Sequence, residues 1–156
     1  MKGIRIEPLN HGDPTFAKAI HRVQMAAYAQ EARLLGAKPF PPLQRTPASI
    51  RSSQEHFWGA FLGKVLVGSL GLEAGAQPNE INISSLVVTP ECQRRGIARR
   101  LLARALEDCE GRAVTVSTAA SNTGALRLYA AFGFVEQARQ SVGPEEIELV
   151  NLRRAP

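Results

Sequence analysis

Apolar and polar residues alternate over residues 3–9 (GIRIEPL), the period-two pattern of a strand with one covered face. The period then changes. Asp13-Pro14 offers an N-cap followed by proline at the first helical position. From Phe16 to Leu35, the residues Ala17, Ile20, Val23, Met25, Ala27, Tyr28 and Leu34 recur at helical spacing, and Gly36 closes the run. Residues 37–47 (AKPFPPLQRTP) predict a proline-rich loop, and a short second helix starts at Thr46 or Ser49 and runs through Ser53.

Residues 55–74 read as two strands joined at Gly63-Lys64, a two-residue hairpin connection. A turn over 75–79 leads into a long strand from Glu80 to Val88, ended by Thr89-Pro90. A helix follows from Ile97 to Asp108, with Gly111 capping the break, then a strand over 113–119 and a helix from Asn122 to Phe132 stopped by Gly133. Two strands near 134–141 and 146–153 finish the chain. The order β-α-α-β-β-β-α-β-α-β-β predicts an α/β (α+β) fold: a mixed, mainly antiparallel central sheet of about seven strands flanked by about four helices. The strand-helix-strand unit over 81–119 is expected to be a parallel crossover.

Composition narrows the class. With 156 residues, 44% hydrophobic and 21% charged, the chain reads as a single domain over 1–156. It has no apolar run of the ~18 residues that a membrane span needs and no secretory pattern at MKGIRIEPLN, which points to the cytoplasm and to no membrane partner. His11, His21 and His56 are scattered, and Cys92 and Cys109 are not in a C-x-x-C pair, so no metal is expected.

The net charge of +5 matters through its placement. Arg94, Arg95, Arg99, Arg100 and Arg104 cluster where a strand hands over to a helix, around Gln93-Arg94-Arg95-Gly96-Ile97-Ala98. Neither G-x-x-x-x-G-K-[ST] nor G-x-G-x-x-G occurs there. Gly96 and the small Ala98 nevertheless allow close approach of backbone to a ligand. The first turn of the following helix offers unpaired N–H groups with the positive end of its dipole, a ready receptor for phosphate. No aromatic residues interleave these arginines and no nucleic-acid-binding signature is present, so nucleic acid is not the expected partner.

Gln93-x-x-Gly96-x-Ala98, preceded by Leu86-Val87-Val88-x-Pro90, resembles the acetyl-CoA motif of the GCN5-related N-acetyltransferase (GNAT) superfamily. A second stretch is similar too: Ser121-Asn122, Ala125-Leu126-x-Leu128-Tyr129 and Phe132-Gly133-Phe134. The resemblance implies acetyl transfer from acetyl-CoA to an amine of a small molecule or peptide, by direct attack in a ternary complex. It implies that the backbone of Leu86, Val87 and Val88 holds the pantetheine arm. Arg94, Arg95, Gly96, Ile97, Ala98 and Arg99 would hold the diphosphate. Asn122 would bond the pantetheine arm, and Tyr129, two helical turns further on the same face, would protonate the departing thiolate.

The position at which many relatives carry a basic glutamate is here Asn82, and another such position is Ser117. Two substitutes are in the chain. Glu80 falls on the same strand face as Asn82 and is the expected base, acting through water, with loss of the proton to a water chain as the alternative. Glu31, one turn beyond Tyr28, is expected to meet the acceptor's charge, with Tyr28 and Phe40 lining its pocket. A non-catalytic acyl-CoA-binding sensor or scaffold is the second reading. The two C-terminal strands suggest a homodimer.

Overall fold

The computed structural model describes residues 3–36 and 41–156. Its strands are β1 (Ile4–Leu9), β2 (His56–Leu62), β3 (Val65–Ala74), β4 (Glu80–Val88), β5 (Ala113–Ala119), β6 (Val135–Val142) and β7 (Ile147–Arg154). Its helices are α1 (Pro14–Leu35), α2 (Pro47–Ser52), α3 (Ile97–Asp108) and α4 (Thr123–Ala131), with short 3-10 turns at Pro41–Gln44 and Pro90–Cys92. The seven strands form one sheet in the order β1-β2-β3-β4-β5-β7-β6. Of its neighbours, β4 and β5 are parallel, as the predicted crossover requires, whereas β1–β2, β2–β3, β5–β7 and β6–β7 are antiparallel. The β4–β5 ladder comprises three pairs, ending at Asn82 and Thr115.

Local signals set most boundaries. Asp13 accepts from Thr15 N–H at 2.8 Å to start α1, and Gly36 at φ 66 ends it. Thr46 and Ser49, both offered by the sequence as starts of α2, share the role: each side chain bonds the other's backbone N–H in a capping box. The β2–β3 hairpin pairs Leu62 with Val65 across Gly63-Lys64, with Gly63 at φ 62.

The chain forms two compact units. The first comprises Met1–Leu72 and Ser84–Asp108. In it, the apolar stripe of α1 (Ala17, Ile20, Val23, Ala27) packs on Leu9, Phe57, Phe61, Leu66 and Val87, with Ile50 of α2 completing the cluster. Burying each large aliphatic side chain contributes roughly 1.5–3 kcal/mol. On α3, Ile97 and Leu101 lie so close to β3 that a Cβ on Gly68 would stand 3.2 Å from Leu101 and 3.3 Å from Ile97. Glycine there lets the helix seat. The second unit comprises Glu73–Ile83 and Cys109–Pro156. Val114, Val116, Val150 and Leu152 are buried in it, as are Tyr129 and Phe134, whose rings meet edge to face at 5.3 Å. Every residue of β6 is exposed.

Candidate active site

The turn between β4 and α3 is built from backbone. Arg94 and Gly96 both have positive φ, 63 and 79, while Arg95 between them does not. Such alternation of hand turns successive N–H groups toward one concave side, an anion-binding nest. The N–H groups that open α3 continue it, since the first turn of a helix has no partners of its own. A left-handed arginine costs of order 1 kcal/mol, so the conformation is held from outside. Gln93 does this: its Nε2 donates to the Val88 carbonyl at 3.1 Å and to Gln30 Oε1 on α1 at 2.8 Å. Among the described residues nothing lies within 4 Å of a Cβ built on Gly96, and Arg94, Arg95 and Arg99 are exposed around it. Ile97 points inward at 2% exposure, so only its amide is available to a ligand, and Ala98 is half-buried. These features fit a diphosphate.

Just upstream, β4 is irregular. Thr89 N–H donates to the Val67 carbonyl, and Ser84 lies over Gly71. Four residue steps separate Val67 from Gly71 on β3, but five separate Ser84 from Thr89 on β4. One extra residue on β4 makes a bulge. It explains why consecutive residues reach the same polar group: Ser84 Oγ donates to Glu55 Oε2, and the Ser85 hydroxyl stands by the Tyr28 phenol. Leu86 is half-buried beyond the bulge, and Val87 and Val88 are buried.

That polar group collects residues from four places in the first unit. Glu55, buried at the start of β2, pairs through both oxygens with the Arg45 guanidinium. Burial raises the Glu55 pKa, but bonds from Arg45 and Ser84 and the arginine charge outweigh it and hold the carboxyl below its ordinary range. Tyr28 is pushed up to about 12, by burial first and by Glu31 second. Glu31 itself is raised by burial. Of the expected acceptor residues, Tyr28 and Glu31 thus stand together on α1, whereas Phe40 lies outside the described residues.

In the second unit, Asn82 does not stand alone. Its Nδ2 donates to Glu73 Oε2 at 2.8 Å, and its Oδ1 accepts from Thr115 Oγ1 at 2.9 Å. Ser117 donates to Asn151 Oδ1 at 2.6 Å. Glu80, whose side chain is 9% exposed, faces the Arg153 guanidinium at 3.6 Å. Asn122 is the N-cap of α4, accepting from Ala125 N–H at 3.2 Å, and α4 starts one residue later than expected. It is exposed, while Tyr129 is buried at 4%.

Sequence reasoning missed Glu55, Arg45, Glu73 and the brace formed by Gln93. Glu73 was accessible: a turn over 75–79 with Gly75 N–H bonded to the Glu80 carbonyl sets residue 73 opposite 82. Arg45 and Glu55 had no such signal, since only the fold brings them together.

The sequence profile described as the acetyltransferase (GNAT) family matches residues 19–134. The chain is 35% identical over 130 residues to the UPF0157 protein YqkA of Bacillus subtilis, covering 83% of this chain but 37% of that one. It thus spans little more than a third of that relative. It is 33% identical over 130 residues to the N-alpha-acetyltransferase RimI of Mycobacterium tuberculosis, covering 82% of this chain and 79% of that one. The fold is shared with the ribosomal-protein-S18-alanine N-acetyltransferase from Escherichia coli (TM-score 0.74, 17% identity, 97% of this chain and 92% of the other). It is shared also with the acetyltransferase yncA from Salmonella typhimurium, described as putative and solved with acetyl-CoA (TM-score 0.74, 16% identity, 97% and 93%). The extent of the profile match settles membership: this chain belongs to the GNAT family of acetyltransferases.

Proposed function

We propose that residues 1–156 act as one acyltransferase domain that moves the acetyl group of acetyl-CoA to a primary amine, of a small molecule or of a peptide, by direct attack in a ternary complex. The observation that carries this reading is the left-handed pair Arg94 and Gly96 ahead of α3, held by Gln93, which offers a row of amides to a diphosphate. Arg94, Arg95 and Arg99 add charge to the amides of Gly96, Ile97 and Ala98. The backbone of Leu86, Val87 and Val88, just past the bulge, takes the pantetheine arm, with Asn122 as a further polar contact.

An alkylammonium is almost wholly protonated at neutral pH and must lose a proton before attack. In this reading the proton leaves through water to Glu80, with Glu73 of the neighbouring strand β3 bonded to Asn82 nearby. The amine nitrogen then bonds to the thioester carbonyl carbon, the C–S bond breaks as the Tyr129 hydroxyl gives its proton to the sulfur, and the surplus proton on the new amide nitrogen leaves through water to restore the Tyr129 phenol. Phenols, with ordinary pKa values of ~10, hold that proton at neutral pH. Tyr28, Glu31 and Phe40 receive the acceptor. The likeness to the M. tuberculosis RimI, named an N-alpha-acetyltransferase, directs the first trial to peptide N-termini. The reading includes action in the cytoplasm and pairing of two copies along β6, an edge strand exposed at every residue.

The test is thiol release from acetyl-CoA with a panel of peptides and small amines, for the wild type and Tyr129→Phe. Loss of a general acid is expected to lower kcat about 10²-fold or more while leaving the acetyl-CoA Kd unchanged. Equal kcat removes Tyr129 from the reaction. Tight acetyl-CoA binding with no release for any amine would instead establish the non-catalytic sensor.

A further inference from the structure

Glu55, Arg45 and Ser84 lie outside every role assigned above, yet they form an ionic group in which Glu55 is buried and the Arg45 side chain is 24% exposed. Arg45 stands between the 3-10 turn Pro41–Gln44 and α2, in the segment that follows the expected acceptor pocket. It is fixed in three ways: by the paired bonds to Glu55, by the Phe57 ring 6.0 Å from its guanidinium, and by His21 Nε2, which donates to its carbonyl at 2.9 Å. Glu55 in turn receives the Ser84 hydroxyl from the bulge of β4, immediately before the residues assigned to the pantetheine arm. The sheet leaves space for this. A Cβ on Gly71 would stand 2.5 Å from Ser84 Oγ and 3.0 Å from Glu55 Oε2, so only glycine fits beneath the pair.

A buried ion pair contributes little net stability, because desolvation offsets its attraction, and apolar replacements are often as stable. What such a pair does supply is a fixed geometry. A buried carboxylate that keeps its one cationic partner holds together the elements that carry the two charges.

We propose that the Arg45–Glu55 pair is a positioning device, tying the segment that leads into α2 to the β4 bulge so that acceptor-side and thioester-side residues of the first unit keep one register. Neither residue touches the reacting atoms. Glu55 is a poor base, since the bonds from Arg45 and Ser84 stabilise its carboxylate. The kinetic consequence rests on the acyl-transfer reading; the mechanical one does not.

Removing Arg45 alone leaves the Glu55 charge buried without its partner and lowers Tm whether the pair positions or merely stabilises. The decisive variant is therefore Arg45→Met/Glu55→Leu, which removes both charges, compared with the wild type by amide hydrogen exchange. With Tm restored, exchange over residues 45–47 and 84–88 is expected to stay about tenfold faster than in the wild type. Wild-type rates in both segments overturn the proposal. If that variant folds poorly, Ser84→Ala, which cuts the tie to β4 but leaves both charges paired, takes its place. Exchange over 84–88 then rises severalfold, or stays unchanged if the pair is only structural. With a short peptide carrying N-terminal alanine as acceptor, the double variant should show an acceptor KM about tenfold higher at an acetyl-CoA Kd within twofold of the wild type. Should the wild type release no thiol with any amine, the acyl-transfer reading falls, while the exchange result still decides the role of the pair.

Discussion

The turn at residues 93–97 and the polar group around Glu55 are both in the first unit, but they are made of different material. The turn is contiguous chain: the groups proposed to bind are backbone amides with exposed arginines beside them, and Gln93 holds the loop from outside. The Glu55 group is made of side chains brought from residues 28, 45, 55, 84 and 85, with the backbone serving only as platform. The first should therefore respond mainly to backbone strain. The second should respond to any atom that intrudes among its side chains.

The largest effect should come from the second group. In Gly71→Ala the added Cβ meets Ser84 Oγ at 2.5 Å, so the hydroxyl must swing away and release Glu55. Loss of one hydrogen bond to a charged group costs about 1.5–3 kcal/mol. We expect urea unfolding to show a loss of about 2 kcal/mol with an unchanged m-value. A variant as stable as the wild type would mean that the group is loosely packed, and the contrast with the turn would vanish.

The turn responds differently. Among the described residues a Cβ at Gly96 meets nothing within 4 Å, so Gly96→Val places its Cβ in open space and adds a β-branched residue at φ 79. The exposed turn of the ligand-free variant can relax to escape the roughly 1–2 kcal/mol cost of a left-handed side chain, and that cost then falls on binding as about a tenfold higher Kd. Calorimetric titration with coenzyme A should show binding weakened about tenfold while Tm changes little. Unchanged affinity would detach the amides from the ligand and leave the exposed arginines as the whole of the attraction.

The same contrast explains what could be read in advance. Strand and helix order followed from period, proline and glycine, because those signals act within a few residues of the element they define; Asp13-Pro14, Gly36 and Gly63-Lys64 all stand where they were expected. The turn was legible for the same reason, as Gln93, Gly96 and Ala98 keep a fixed spacing on one stretch of chain. Asn122 shows the limit of such spacing: placed in the helix by pattern, it caps the helix instead, because a short amide satisfies the first free N–H groups better from outside. The bulge in β4 left no trace in composition. It follows from a register difference between two strands, and the meeting of Arg45 with Glu55 depends on that tertiary packing. Only Glu73 among the missed residues was within reach, through the hairpin register that sets it opposite Asn82.

Two carboxylates of the first unit sharpen the comparison with the smallest effect. Glu55 has an arginine and a serine to satisfy it and is held below the ordinary carboxylate value of 4.5. Its contribution to stability is therefore present above that value and is lost as pH falls through the lower folded-state pKa. Glu31 is raised above 4.5 because burial disfavours its charge. A folded state that holds its proton more tightly than the unfolded chain loses stability as pH rises from about 4.5. Glu31→Gln removes that loss, so its Tm should match the wild type near pH 4 and exceed it by about one or two degrees at pH 7. Unfolding scans of both proteins between pH 4 and 8 measure the divergence. A variant less stable than the wild type at pH 7 would show that the Glu31 charge is compensated in the folded protein, and the two carboxylates would then belong to one class rather than two.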